Sequence, residues 1–289
     1  AALGTHVAVV ELQDRLMTSE DPLISEVVER SLRAQGVRLH LGTTIERVDG
    51  DTARLADGSA VDGVDRVLMA VGRRPRLDGL SLERAGVRTR PEGIEADDWG
   101  RTSVDRIWAV GDVTGNTLTT HGAGAVGRRV VRAIALPRLP KAGRLGAVPN
   151  ATYGEPEVAS VGMSLAELAR VPEASRRRIV VDHADIDRGY TDDIVDGRLV
   201  VDAERFTGRV LRAAIVGPGA SDLIGMFTLA IDNGIGLRKL FAMVHPYPSH
   251  AELVRRAADE FARVTFSSLP REWAAMARGR AARVRSRRR

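Results

Sequence analysis

The sequence predicts an α/β sheet region over its N-terminal half and a separate α+β domain over its C-terminal half. Up to Val71, short apolar runs alternate with a segment of helical period, as in βαβ construction. Beyond Ala147 the order changes to strands in series followed by helices, the pattern of an α+β domain. A length of 289 residues suits about two domains of ordinary size.

Taken in order, Ala1–Leu3 reads as the end of a helix capped by Gly4, and Thr5–Glu11 as a buried strand ending in an acid. Asp21-Pro22 is a helix start, an acceptor followed by a proline whose missing N–H costs nothing there. Leu23, Val27, Val28 and Leu32 give that helix one apolar face, and Gly36 stops it. Val37–Leu41 is the next strand, and 44–49 and 52–56 are short strands before an Asp57-Gly58 hairpin turn. Asp65–Val71 reads as a further apolar strand closing on Gly72-Arg73-Arg74-Pro75. Residues 75–101 are loop-rich, Arg106–Val110 is a strand running into Gly111-Asp112, and a helix with an unusually small first turn begins at Thr120. Pro137–Pro149 has a linker's composition. In the second half Ile179–Ala184, Arg198–Asp202 and Val210–Val216 read as strands, and Ala220–Asp232, Leu237–Ala242 and Ala251–Arg263 as helices.

Composition removes several classes of chemistry. With no cysteine, the chain has no disulfide, thiolate metal site or redox dithiol of its own. Six scattered histidines give no metal-ligand spacing. No run approaches the ~18 apolar residues of a membrane helix. The net charge of +5 is carried by the end of the chain: seven arginines lie between Arg278 and Arg289, and without them the net is −2. That stretch lacks interleaved aromatics, so a solvated terminus is the favoured reading over a nucleic-acid or membrane contact.

Two places suit a cofactor. An acid ending the second strand of a dinucleotide fold, as Glu11 would, can accept both ribose hydroxyls of NAD and repel a 2′-phosphate, with Arg15 near enough to soften the preference. A solvated acid at a strand end is the plain alternative. Asp112, just after a strand, is placed to bind a sugar or ribityl hydroxyl. The Thr120 helix offers unpaired amides and a positive dipole end, and its glycines and alanines admit a flat ring. A packing helix with tight neighbours explains the same residues equally.

Ala70-Val71-Gly72-Arg73-Arg74-Pro75 resembles the end of the NAD domain in the pyridine nucleotide-disulfide oxidoreductases. Thr102-Ser103 with Ile107–Val113 resembles that family's second FAD motif, and Thr120-His121-Gly122-Ala123 with Gly127-Arg128 the helix after it. Gly154–Gly162 resembles the first strand of its dimerisation domain, and His245–Glu252 its active-site loop. The resemblance implies α/β dinucleotide-binding domains, a partial NAD domain plus the second FAD segment, followed by an α+β dimerisation domain. The implied boundaries are 1–75 for NAD(P) binding, 76–146 for FAD, 147–263 for dimerisation and 264–289 for a basic tail. The opening in mid-unit then reads as a chain lacking an N-terminal flavin-binding segment.

By the same resemblance Glu11 binds the NAD ribose, Gly72 lines the nicotinamide cofactor site and Asp112 holds the FAD chain. The Ala123 amide, in the helix from Thr120, faces the flavin pyrimidine edge. Tyr247 and Glu252 reach the flavin of a partner subunit in a cytoplasmic homodimer. Disulfide-reducing members have histidine where Tyr247 stands, and a tyrosine with pKa near ~10 is a poor base at neutral pH. Mercuric reductases also use a C-terminal cysteine pair, absent here. The expectation is therefore an enzyme passing electrons from NAD(P)H, NAD favoured, through FAD to a small-molecule or quinone-type acceptor by thiol-free, transhydrogenase-like chemistry. A dihydrolipoamide dehydrogenase-like disulfide reductase and a non-catalytic truncated dimerisation module are the alternatives.

Overall fold

The computed structural model describes residues 1–116, 118–136, 143, 145–194 and 196–267. Its elements begin with β1 (Ala8–Glu11), α1 (Pro22–Ala34) and β2 (Arg38–Leu41), then β3 (Ile45–Asp49), β4 (Thr52–Leu55) and β5 (Ala60–Val61). A hairpin of β6 (Thr89–Arg90) and β7 (Gly93–Ile94) precedes the long α2 (Thr120–Ala135). Then follow β8 (Asn150–Thr152), β9 (Val158–Gly162), α3 (Leu165–Ala169), β10 (Arg176–Asp182), α4 (Asp187–Thr191), β11 (Arg198–Glu204) and β12 (Val210–Val216). Helices α5 (Ala220–Asp232), α6 (Leu237–Phe241) and α7 (Glu252–Ser267) close the described chain.

These elements form two compact units. The first combines residues 1–65 with the chain from Pro149 onward, and the second spans Arg66–Val148. In the first unit β1 and β2 pair in parallel across α1, one βαβ unit, with Glu11 opposite Leu41. The Asp21 carboxylate accepts the Leu23 amide at 3.0 Å and so caps α1, with Pro22 in its first turn. Strands β10-β11-β12-β9-β8 make a five-stranded antiparallel sheet. Ile24, Val27 and Val28 of α1, with Leu16, are buried against Val158, Val200, Ala214 and Val216 of that sheet. Each fully buried aliphatic side chain of this kind stabilises by about 1.5–3 kcal/mol. Helix α5 packs on β9 and β12, and α7 on β10 and β11.

Buried charge also ties α1 to the sheet. Arg212 on β12 meets Glu20 at 2.6 Å and donates to the Met163 carbonyl at 2.8 Å, while Ser160 on β9 donates to the other Glu20 oxygen at 2.8 Å. Arg178 on β10 bridges Asp21 at 3.0 Å and the buried Asp202 at 2.9 Å.

The second unit has little regular structure besides α2 and a small core of Val87, Ile94 and Ala109. Three expectations are corrected here and at the N-terminus. Asp65–Val71 is not a strand: among the described residues nothing forms a ladder with it, and Leu68 and Val71 are 90% and 84% exposed. An extended run becomes a strand only when a neighbour takes up its N–H and C=O groups. Arg106–Val110 is likewise no strand and keeps one bridge, Arg101 to Trp108. Ala1–Gly4 forms a turn, with the Gly4 amide on the Ala1 carbonyl at 2.8 Å, not a helix end. The expected linker falls largely on 137–142 and 144, and the arginine tail on 268–289, all outside the described residues. No helix of the described residues is long and apolar enough to cross a membrane.

Candidate functional site

In the second unit, Gly111 adopts φ +81 and turns the chain out of the Ala109 layer into a single 3₁₀ turn over Asp112–Thr114. Thr114 Oγ1 donates back to the Gly111 carbonyl at 2.9 Å and fixes the turn. Gly115 ends it in the left-handed region, packed so closely on the Glu92 carbonyl that no side chain fits. The Asp112 carboxylate is thereby presented half-exposed, with Arg73 Nη1 3.9 Å away, and Gly72 lies exposed at φ +107 just before that arginine. A Cβ on Gly111 would stand 3.3 Å from the Ala123 Cβ, so the small first turn of α2 permits the close approach of turn and helix. A small cleft lined by Asp97, Asp98, Gly111, Thr114, Asn116 and Val126 opens beside the turn.

The helix starts at Thr120, as expected, and Thr119 is its N-cap: the Thr119 Oγ1 accepts the Gly122 amide at 3.3 Å. The Ala123 amide donates to the Thr119 carbonyl at 2.9 Å, the first bond of the helix, and so is not a free donor toward a ligand. The amide of Thr120, one residue inside the cap, has no acceptor among the described residues.

In the first unit Glu11 ends β1, as the pattern required. Its Oε1 accepts the Gln13 amide at 2.9 Å, which orients the carboxylate across the strand end. Arg15 is engaged elsewhere: its guanidinium donates to Ser25 Oγ at 2.5 Å and to the Met17 and Thr18 carbonyls at 3.1 and 2.8 Å.

The loop His245–His250 leads into α7. Tyr247 is exposed, and its hydroxyl donates to Asp187 Oδ2 of α4 at 2.7 Å. That bond, the Asp187 charge and the nearby Glu252 charge hold the phenol above its ordinary pKa, because each disfavours phenolate. Glu252 is buried at the start of α7: its Oε1 accepts Arg255 Nη2 at 2.8 Å, while its Oε2 is buried without a partner among the described residues. The two residues expected to work together thus take different partners, one outside and one inside.

Two histidines meet here, His250 of the loop itself and His183, which gave no signal in sequence. His250 Nε2 lies 3.5 Å from Asp192 Oδ2, and its ring is tilted against the ring of His183 at 5.7 Å. His183 is fully buried, has no hydrogen-bond partner on either ring nitrogen among the described residues, and is walled by Gly197 and Gly217. Burial, reinforced by the charge of His250, pushes its pKa down to about 4. His245 and His250 are also lowered, burial being the main cause for both. Contacts spanning dozens of residues carry no periodicity by which they could be read. No group of three or more acids and histidines able to hold a metal ion occurs among the described residues.

Comparison with known proteins adds to this geometry. Residues 1–133 match the family described as pyridine nucleotide-disulphide oxidoreductase, and residues 148–258 match its dimerisation domain. The chain is 34% identical over 268 residues to a dihydrolipoyl dehydrogenase of Corynebacterium glutamicum, covering 88% of this chain and 56% of that protein. It is also 34% identical over 268 residues to a mercuric reductase of Streptomyces lividans, covering 90% and 56%. Among solved structures, LpdA from Mycobacterium tuberculosis superposes with a TM-score of 0.78 at 30% identity, over 89% of this chain and 57% of that one. The HOCl-induced flavoprotein disulfide reductase RclA from Escherichia coli gives a TM-score of 0.78 at 25% identity, over 89% and 59%. The chain spans a little over half the length of each.

Proposed function

Because the chain belongs to the pyridine nucleotide-disulphide oxidoreductases, we propose that it serves a flavin-dependent oxidoreductase in which FAD takes electrons from NAD(P)H and passes them to an acceptor. The observation that carries the reading is the Gly111–Gly115 turn, which offers the Asp112 carboxylate beside the small-residue start of α2. A carboxylate there suits a ribityl or ribose hydroxyl, and the positive end of α2 suits an electron-rich ring edge. FAD would supply the hydride and electron chemistry when bound, and the residues orient it. Asp112 would hold its sugar-alcohol chain, and the Thr120 amide replaces that of Ala123 as the donor. Gly72 would leave room for the nicotinamide cofactor. Tyr247 and Glu252 would act from one subunit of a homodimer on the flavin of the other.

The acceptor reading rests on Tyr247. Its phenol, whose single O–H is donated to Asp187 and whose pKa lies above the ordinary value, is a poor base at neutral pH, which suits an acceptor that needs no thiol proton handling. A small-molecule or quinone-type acceptor and transhydrogenase-like chemistry follow. A disulfide substrate is the second reading, favoured by the names of the relatives, among them dihydrolipoyl dehydrogenase and a flavoprotein disulfide reductase. The test is to purify the complete gene product and offer NADH with oxidised lipoamide, a quinone or a dye. Reduction of quinone and dye but not lipoamide supports the first reading, and efficient lipoamide reduction the second. A colourless dimer inert to all three would favour a non-catalytic dimerisation module.

Nicotinamide preference is a separate prediction. Arg15 is engaged by Ser25 and the 17–18 carbonyls, away from a role of welcoming a 2′-phosphate beside the Glu11 carboxylate. NADH is expected to outperform NADPH by roughly tenfold or more in kcat/KM, since like charges brought together cost up to several kcal/mol. Glu11→Ala should narrow that ratio. Preference for NADPH by the unaltered protein would refute the assignment of Glu11.

A further inference from the structure

The proposed function leaves unexplained what orients an exposed tyrosine on a loop. The loop 245–250 is met from one side by α4, which begins at Asp187 and is followed at its end by Asp192. Both acids face the loop: Asp187 takes the Tyr247 hydroxyl at 2.7 Å, and Asp192 stands 3.5 Å from His250. Arg188 donates to Asp192 at 2.7 Å and fixes that carboxylate from within the same helix. Gly189 sits so tightly on the His183 carbonyl that no side chain fits, which seats α4 against the buried histidine. On the other side Glu252 is neutralised by Arg255, whose second nitrogen pairs with Asp259 at 2.7 Å. The charged groups facing Tyr247 are therefore Asp187 and Glu252, with Arg255 paired to the latter.

We propose that Asp187 is the positioning residue for Tyr247, fixing the direction of its phenol hydroxyl. The proposal deepens the reading of Tyr247 as a group acting on flavin. A flexible side chain that is 70% exposed has many rotamers, and one charge-assisted bond selects among them. Because the acceptor is anionic, the bond also opposes loss of the phenolic proton. An amide at the same place would keep the shape but remove the charge.

The experiment follows the Tyr247 ring in the flavin-loaded holoenzyme by NMR of protein labelled with ¹³C at the tyrosine ζ carbon, assigned by the signal missing in Tyr247→Phe. The titration midpoint of Tyr247 is expected above that of an ordinary exposed tyrosine. It should fall toward the ordinary value in Asp187→Asn and be restored in Asp187→Glu. An unchanged midpoint in Asp187→Asn, with the fold intact by the unaltered signals of the other tyrosines, overturns the proposal. Kinetics separate this from the functional reading. Asp187→Asn should slow flavin reoxidation several-fold without altering KM for NADH, and combining it with Tyr247→Phe should add no further loss. If the midpoint moves while reoxidation does not, Asp187 positions Tyr247 as proposed but Tyr247 takes no part in the reaction.

Discussion

Replacing Arg212 by methionine is expected to lower the unfolding free energy by about 3–5 kcal/mol, the usual cost of removing one partner from a buried ion pair. Arg212 and Glu20 are both nearly inaccessible, and the guanidinium serves both the Glu20 carboxylate and the Met163 carbonyl. Without it, Glu20 keeps only the Ser160 hydroxyl and the Met163 carbonyl loses a donor. Changing Glu20 to methionine in the same protein should recover much of the loss, because a fully apolar pair leaves no stranded charge. Urea unfolding of the single and double variants measures both effects. A single variant within about 1 kcal/mol of wild type, far below the expected cost, would mean that Glu20 and Arg212 are not joined. It would then remove one reason for treating residues 1–65 and the five-stranded sheet as one unit.

The second large effect is acid lability arising at His183. Its folded pKa is depressed to about 4 from an ordinary 6.5. Between those values the unfolded chain binds a proton that the folded one refuses, so stability rises with pH across the window. The contribution is complete above 6.5 and is lost as pH falls toward 4, a total on the order of 3 kcal/mol. Groups facing the ring are His250, Asp182 and Asp192 behind His250, with the glycines at 197 and 217 closing the pocket. His183→Leu, which cannot titrate, should flatten the pH dependence of the urea midpoint across that window. An equally steep dependence in the variant would assign the lability to other groups. Since α4 follows His183 directly, loss of this pocket should also loosen the Asp187–Tyr247 contact.

Much of the fold was legible because its signals are local. Pro22 after Asp21 gave the start of α1, and the apolar run 210–216, interrupted by Arg212, gave β12 to the residue. Short α3 and α4 passed unread, although α6, equally short, was read as a helix. Residues 65–71 have the composition of a strand, yet composition cannot supply a neighbour to pair with. The candidate site divides in the same way. Glu11 stands at a strand end that sequence pattern can locate, whereas the strand read before Asp112 does not form and Asp112 opens a 3₁₀ turn instead. The start of α2 at Thr120 was read correctly, but position alone did not show that the Thr119 carbonyl takes the Ala123 amide. Asp187, Asp192 and His183 meet the active-site loop only through the folded sheet, at separations where no motif connects them.

The proposal that this chain serves a flavin reduced by a nicotinamide cofactor is tested most directly by an anaerobic titration. The complete gene product is purified with its bound cofactor and treated with one equivalent of NADH while the visible flavin band is followed. Bleaching of that band on addition of NADH, and its return when an acceptor is added, is the result predicted. Protein that carries flavin but shows no bleaching with NADH or NADPH would contradict it.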